Sequence, residues 1–299
     1  WWNLLMGALL GVFLFSRLWK RADVLTDNEL LEIRYSGKPA ALLRAFKAGY
    51  FAILYNFIVM GWVINAMASV VSVMLNMDKW TAVWICVAIA LLYAILSGFW
   101  GVVVTDLVQF FIAMFGSITL AIIAVKHVGG MDSLLSKLDL LMGSDAVHNS
   151  TLKFIPPVPI DDITTLTFWE SPFSKFIIFI TVMWWSHHGT DGGGYIIQRM
   201  SSAKNERHAL LATLWFNLAH YALRVWPWII VAVVSIVMFP LIPEAYNDLG
   251  VKAGYPLVMN NLLGPGLKGI LIVSFLAAFM STIDTHLNWG ASYLVNDIY

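Results

Sequence analysis

Five side chains with oxygen donors crowd one short stretch near the end of the chain: Ser281, Thr282, Asp284, Thr285 and Asn288. At about 100° per residue, Ala278, Ser281 and Thr285 stack on one helical face. Thr282 borders that face on one side and Asp284 on the other, with Asn288 near its centre. Hydroxyls, a carboxylate and a backbone carbonyl are hard ligands. They suit an alkali-metal cation, not a transition metal. Small residues at this spacing also serve close helix packing, and that reading competes. Asp284 is a poor packing residue.

Three other places carry polar chemistry inside apolar sequence. Asp106, in Thr105-Asp106-Leu107-Val108-Gln109, is a cation or proton site, or else a carboxylate about 8 Å from a helix end that reaches water. Trp184-Trp185-Ser186-His187-His188-Gly189-Thr190-Asp191 places His187 and Asp191 four residues apart on one face, before three consecutive glycines. Loosened backbone there could bind a solute; a plain turn is the alternative. Asn217, His220 and Arg224 recur at helical spacing, as an interhelical hydrogen-bond network or as a clamp for an anionic solute.

These groups matter because of where the composition puts them. Hydrophobic residues make up 60% of the 299 residues and charged residues 12%, against about 25% charged in a soluble domain. That composition belongs in a membrane, where each intramembrane polar group is costly and functional by default. Eighteen basic and eighteen acidic residues cancel, which argues against nucleic-acid binding. One cysteine, Cys86, excludes an internal disulfide framework.

Charge-free runs of about 20 residues mark membrane spans. They predict helices at about 1–18, 47–76, 80–97, 101–126, 172–190, 207–239 and 267–296, with a break at Ser97-Gly98. A surface helix is expected at Met131–Met142 and a kink at Pro227. Thr26-Asp27-Asn28-Glu29 fits a capping box that opens a short helix. Residues 17–47 carry seven lysines and arginines and the loop after the fifth span carries Arg199, Lys204 and Arg207, more than the opposite loops despite their length, so segment 19–46 and that loop are expected to be cytoplasmic. Loops 127–171 and 240–266 lie outside. The chain opens and closes abruptly, as expected of a piece of a longer protein.

Several motifs together resemble the sodium:solute symporter family. They are Thr26-x-x-Glu29 with Arg34-Tyr35-x-Gly37; Ser97-Gly98-Phe99-Trp100-Gly101 leading to Thr105-Asp106-x-x-Gln109; Tyr195-Ile196-Ile197-Gln198-Arg199 with Ala203-Lys204; and Ala277-Ala278-x-Met280-Ser281-Thr282, then Leu287-Asn288 and Asp297-Ile298-Tyr299. The resemblance implies an all-α membrane protein of the LeuT-type inverted-repeat fold. The seven spans would be its core helices two to eight.

It further implies a common sodium site at Ala278, Ser281 and Thr282. A second cation site would use Asp106, Ser281, Asp284 and Thr285. Family members often carry Ser where this chain has Asp284. The positions that engage sugar in sugar carriers match Ser186, Gly189 and Thr190, and none keeps the family's aromatic or amide. Ser186, His187, His188 and Asp191 stand as local candidates for solute contact. The expected function is sodium-coupled symport of a small organic solute by alternating access, in the cell membrane (the inner membrane of a bacterium). Sodium is the coupling ion and no other cofactor or metal is expected. The alternatives are a proton-coupled carrier, a transporter-like sensor fused to a signalling domain, and an intramembrane metalloenzyme built on His187, His188 and Asp191.

Overall fold

A computed structural model describes residues 6–96, 99–143, 153–160, 167–183, 186 and 189–299. No strand occurs among the described residues. The helix α1 spans 6–22 and widens into a π turn at Gly11–Phe15. Glu29–Arg34 forms α2. Gly37–Leu75 forms α3, with a π turn at Tyr50–Tyr55. Lys79–Leu96, Phe99–His127 and Met131–Met142 are α4, α5 and α6. Pro172–Met183 is α7 and Gly194–Ser201 is α8. Glu206–Met238, Gly254–Leu262 and Pro265–Ile298 are α9, α10 and α11.

Among the described residues, four helices are long and apolar enough to cross a bilayer: Gly37–Leu75, Asp106–His127, Glu206–Met238 and Pro265–Ile298. Lys79–Leu92 and Pro172–Met183 are shorter apolar helices. Large apolar side chains such as Trp62, Trp84 and Phe111 stand exposed on them, as a lipid-facing surface requires.

The chain divides into two compact units. One joins the residues up to Asp23 with Met131–Val225; the other joins Val24–Gly130 with Trp226–Tyr299. The second unit is organised around α11. Phe279 and Ile283 bury against Met67, Ala68 and Val71 of α3 and against Ala82, Cys86 and Ala90 of α4. Between helices in a bilayer such side chains contribute through close packing rather than through removal from water. On α5, a Cβ at Gly116 would lie only 2.8 Å from the Leu271 side chain, so the missing side chain sets how closely α5 and α11 approach.

Below the apolar layer, Asn56 and His286 pin α3 to α11. Asn56 Nδ2 donates to His286 O over 2.9 Å, and His286 Nδ1 lies 2.7 Å from Asn56 Oδ1. Both residues are buried. Gly290 makes room, since a Cβ there would sit 2.8 Å from the Asn56 amide nitrogen and 3.2 Å from Ala52 O.

At the end of α11 a charged clasp closes the unit. The Asp297 side chain is fully buried. It accepts from Thr26 Oγ1 at 2.7 Å, Asn28 Nδ2 at 2.8 Å and Arg44 Nε at 2.9 Å. Arg44 also donates to Asn296 O and pairs with Glu29 and Glu32. Asp27 accepts from Tyr293 Oη and from Lys47 Nζ.

This clasp corrects the capping-box expectation. Thr26 Oγ1 is committed to Asp297, and the Glu29 carboxylate accepts from Leu25 N–H. The short helix α2 forms, opened by Asn28 without a side-chain cap. Two span ends also move outward. The helix α1 continues through Arg17, Lys20 and Arg21 to Ala22, and α3 begins at Gly37, ten residues before the expected 47. Basic side chains do not end a helix; they mark where it leaves the apolar layer, and they suit a helix C-terminus. The break expected at Ser97-Gly98 lies outside the described residues. In α9 the irregularity is a π turn at Leu218–Leu223. Pro227 cannot donate to Leu223 O, so the helix relaxes in the preceding turn.

Removing Arg44 leaves Asp297 buried and short of its cation. Arg44→Ala should lower stability by about 3 kcal/mol. The Arg21–Glu206 pair is exposed, with side chains 66% and 39% accessible, and is screened by solvent, so Arg21→Ala should leave stability nearly unchanged. Parallel thermal unfolding of the two variants checks the order.

Candidate cation site

The face of α11 opposite its apolar anchor carries the expected ligands. Ala278 is exposed, and Ser281, Thr282 and Thr285 are half-buried. Thr282 Oγ1 donates to Ala278 O over 2.9 Å. Two of the expected oxygens are therefore already gathered at one point, one turn apart. A hydroxyl that donates its proton to a carbonyl keeps its lone pairs available for a cation. Asp284 differs, being only 1% exposed. Its Oδ1 accepts from Asn288 Nδ2 at 3.2 Å, so the carboxylate is held along the helix rather than presented at its open face.

Asp106 lies on α5, which packs along α11. It is half-buried, and one carboxylate oxygen is shielded from solvent. Gln109 Oε1, one turn on, is buried without a hydrogen bond. Asp106, Gln109, Gly116 and Leu120 fall on one stripe of α5 at helical spacing, and Gly116 is the point at which that stripe meets Leu271.

The solute candidates lie in the first unit. His187 and His188 fall outside the described residues, and Ser186 is exposed. Asp191 serves the turn that precedes α8. Its Oδ1 accepts from Gly193 N–H at 3.2 Å, and its backbone O accepts from Trp19 Nε1 at 3.1 Å. The glycines are required there. Gly192 and Gly193 have φ of +121° and +68°, and a Cβ on Gly192 would collide with Met200 Cε. The run is a built turn between α7 and α8. Among the described residues no three His, Cys, Asp or Glu side chains gather as a metal site.

Arg224 sits inside α9. Its guanidinium is within electrostatic reach of His220, Tyr221 and Tyr195. His220 stacks on Phe216 with ring centroids 5.3 Å apart, and it meets Tyr221 edge-on at 4.5 Å. Asn217 Nδ2 is engaged by Thr213 O at 2.8 Å. The ring and amide contacts lie within α9 itself, and Tyr195 of α8 is a neighbour of Arg224 from another helix.

The match to known proteins is decisive at the family level. The family profile described as "Sodium:solute symporter family" matches residues 1–299. The chain belongs to this family. Sodium/glucose cotransporter 1 of Ovis aries is 26% identical over 317 residues, covering 100% of this chain and 46% of that protein. Sodium/glucose cotransporter 4 of Danio rerio is 26% identical over 312 residues, with 100% and 46% covered. The sodium/mannose cotransporter SLC5A10 of Bos taurus is 24% identical over 318 residues, with 100% and 51% covered. The chain thus spans about half the length of these relatives.

Within the symporter sequence, two of the motifs that carry the resemblance turn out to touch. Thr26-x-x-Glu29 and Asp297-Ile298-Tyr299 are joined through Asp297, Thr26 and Arg44. Sequence reading placed both motifs but missed the contact, and it missed the Asn56–His286 pair altogether. A lone Asn and a lone His in apolar runs were the available signal.

Gly192→Ala should destabilise the turn by about 2 kcal/mol, because φ in the left-handed region and the Met200 contact both oppose a side chain. Pairing it with Met200→Ala should recover the contact part only, leaving the backbone cost visible in thermal unfolding.

Proposed function

We propose that this chain forms the central part of a symporter that couples inward sodium movement to uptake of a small organic solute by alternating access. The observation that carries the reading is the two-sided character of α11. One face is locked to α3 and α4, while the face bearing Ala278, Ser281, Thr282 and Thr285 stays half-open with a hydroxyl and a carbonyl already 2.9 Å apart. On this reading the chain supplies core helices two to eight of a LeuT-type fold, in seven crossings.

Helix register supports a second cation at the same depth. The fourth and seventh of seven crossings run in opposite directions. Gly116 meets Leu271. Ten residues along α5 from Gly116 is Asp106, and ten residues along α11 from Leu271 is Ser281; both steps cover about 15 Å. Asp106 would therefore stand level with Ser281 and Thr285. Asp284, buried beside Asn288, supports a second reading in which a proton replaces the second cation.

The names of the relatives refer to glucose and mannose. Sugar is not carried over to this chain, because Ser186, Gly189 and Thr190 lack the matching aromatic and amide groups. Coupling needs only that sodium bind the solute-loaded state better than the empty one. Each charge moved inward down the potential contributes about 2.3 kcal/mol per 100 mV.

The test is solute uptake by the full-length protein in proteoliposomes with imposed sodium, proton and potassium gradients. Uptake driven by the sodium gradient, with sodium affinity reduced at least tenfold in Asp106→Asn, is the expected result. Uptake driven by the proton gradient alone would overturn sodium coupling. Unchanged sodium affinity in Asp106→Asn would remove Asp106 from the site.

A further inference from the structure

The basic end of the first unit lies apart from the candidate ligands on α11 in sequence and in unit. The last turns of α1 pack on the first turns of α9. Arg21 pairs with Glu206 at 2.9 Å, and Lys20 Nζ donates to Ser201 O over 2.8 Å. Arg17 also lies within electrostatic reach of Glu206, so a single carboxylate faces two guanidiniums. Residues 17–23 and 199–207 together hold six basic side chains and two acidic ones. Arg17, Lys204 and Arg207 are exposed.

Away from the Arg21–Glu206 pair the same two helices turn apolar and stay exposed. Leu14 and Leu18 of α1 are 55% and 53% exposed; Leu211 and Trp215 of α9 are 50% and 51% exposed. Cations at the rim above an apolar wall match the order in which a phospholipid presents its phosphate and its chains. A soluble anion would have no use for the wall, and a zwitterionic lipid would gain little from the surplus positive charge.

We propose that this seam between α1 and α9 binds an anionic phospholipid of the surrounding bilayer. Its phosphate is held by Arg17, Lys204 and Arg207, and its chains lie along Leu14, Leu18, Leu211 and Trp215. The inference rests on the membrane placement of these helices and not on what the protein transports.

The full-length protein in detergent tests this by thermal unfolding and native mass spectrometry with phosphatidylglycerol, phosphatidylcholine and glycerol phosphate. Phosphatidylglycerol should be retained and should raise the unfolding temperature, while the other two do neither. The triple variant Arg17→Gln/Lys204→Gln/Arg207→Gln should weaken phosphatidylglycerol binding by about a hundredfold, near fivefold for each cation. Neutralising a basic residue of the other, expected external side, Lys126→Gln, should leave it unchanged. Should the triple variant prove unstable, the three single variants carry the same test through their retained-lipid count. An unaltered preference for phosphatidylglycerol in the triple variant overturns the proposal, and so does equal stabilisation by glycerol phosphate.

Discussion

Everything in the second unit depends on pinning one long helix without closing its polar face. In a bilayer there is no hydrophobic drive between helices, so position must come from packing and from hydrogen bonds. The helix α11 uses both. Phe279 and Ile283 fit among small residues of α3 and α4, and Asn56 with His286 adds a paired, buried polar contact. Gly116 and Gly290 let the neighbouring helices come close enough for those contacts to form. The contacts with α3 and α4 come from the Phe279–Ile283 side, while Ala278 and Thr282 share a stripe with Leu271, which meets α5 at Gly116, and Ala278, Ser281 and Thr282 stay exposed or half-buried.

The clasp around Asp297 completes this arrangement at the helix end. A buried carboxylate is costly unless each oxygen is satisfied. Here a hydroxyl, an amide and a guanidinium share it. They come from the turn before α2 and from the first turns of α3, so the short polar helix α2 and its flanks are tied to α11. A helix whose far end is held can be rigid through the turns that carry Ala278, Ser281 and Thr282, and the proposed cation site would need that rigidity.

Much of this was legible in the sequence because periodicity and composition act locally. The helix at Met131–Met142, the helix bounds expected at about 80, 101 and 126 and found at 79, 99 and 127, and the stacking of Ala278, Ser281 and Thr285 all follow from residues within a few turns. What was not legible depends on partners far along the chain. Thr26 looked like a helix cap because its true partner, Asp297, lies 271 residues away. The spans ending at 18 and beginning at 47 were drawn at charged residues, although α1 and α3 carry their charges past the apolar layer as helix. Asp191, a candidate solute contact in the sequence, also accepts a hydrogen bond from Gly193 N–H in its own turn, which residue type alone does not reveal.

The central claim is that the open face of α11 binds sodium. The direct test is thermal stability of the full-length protein while sodium is titrated against potassium, for wild type and for Ser281→Ala/Thr282→Ala. The account predicts sodium-selective stabilisation in wild type that vanishes in the double variant. A wild type indifferent to sodium, or a double variant that keeps the sodium response, would contradict it.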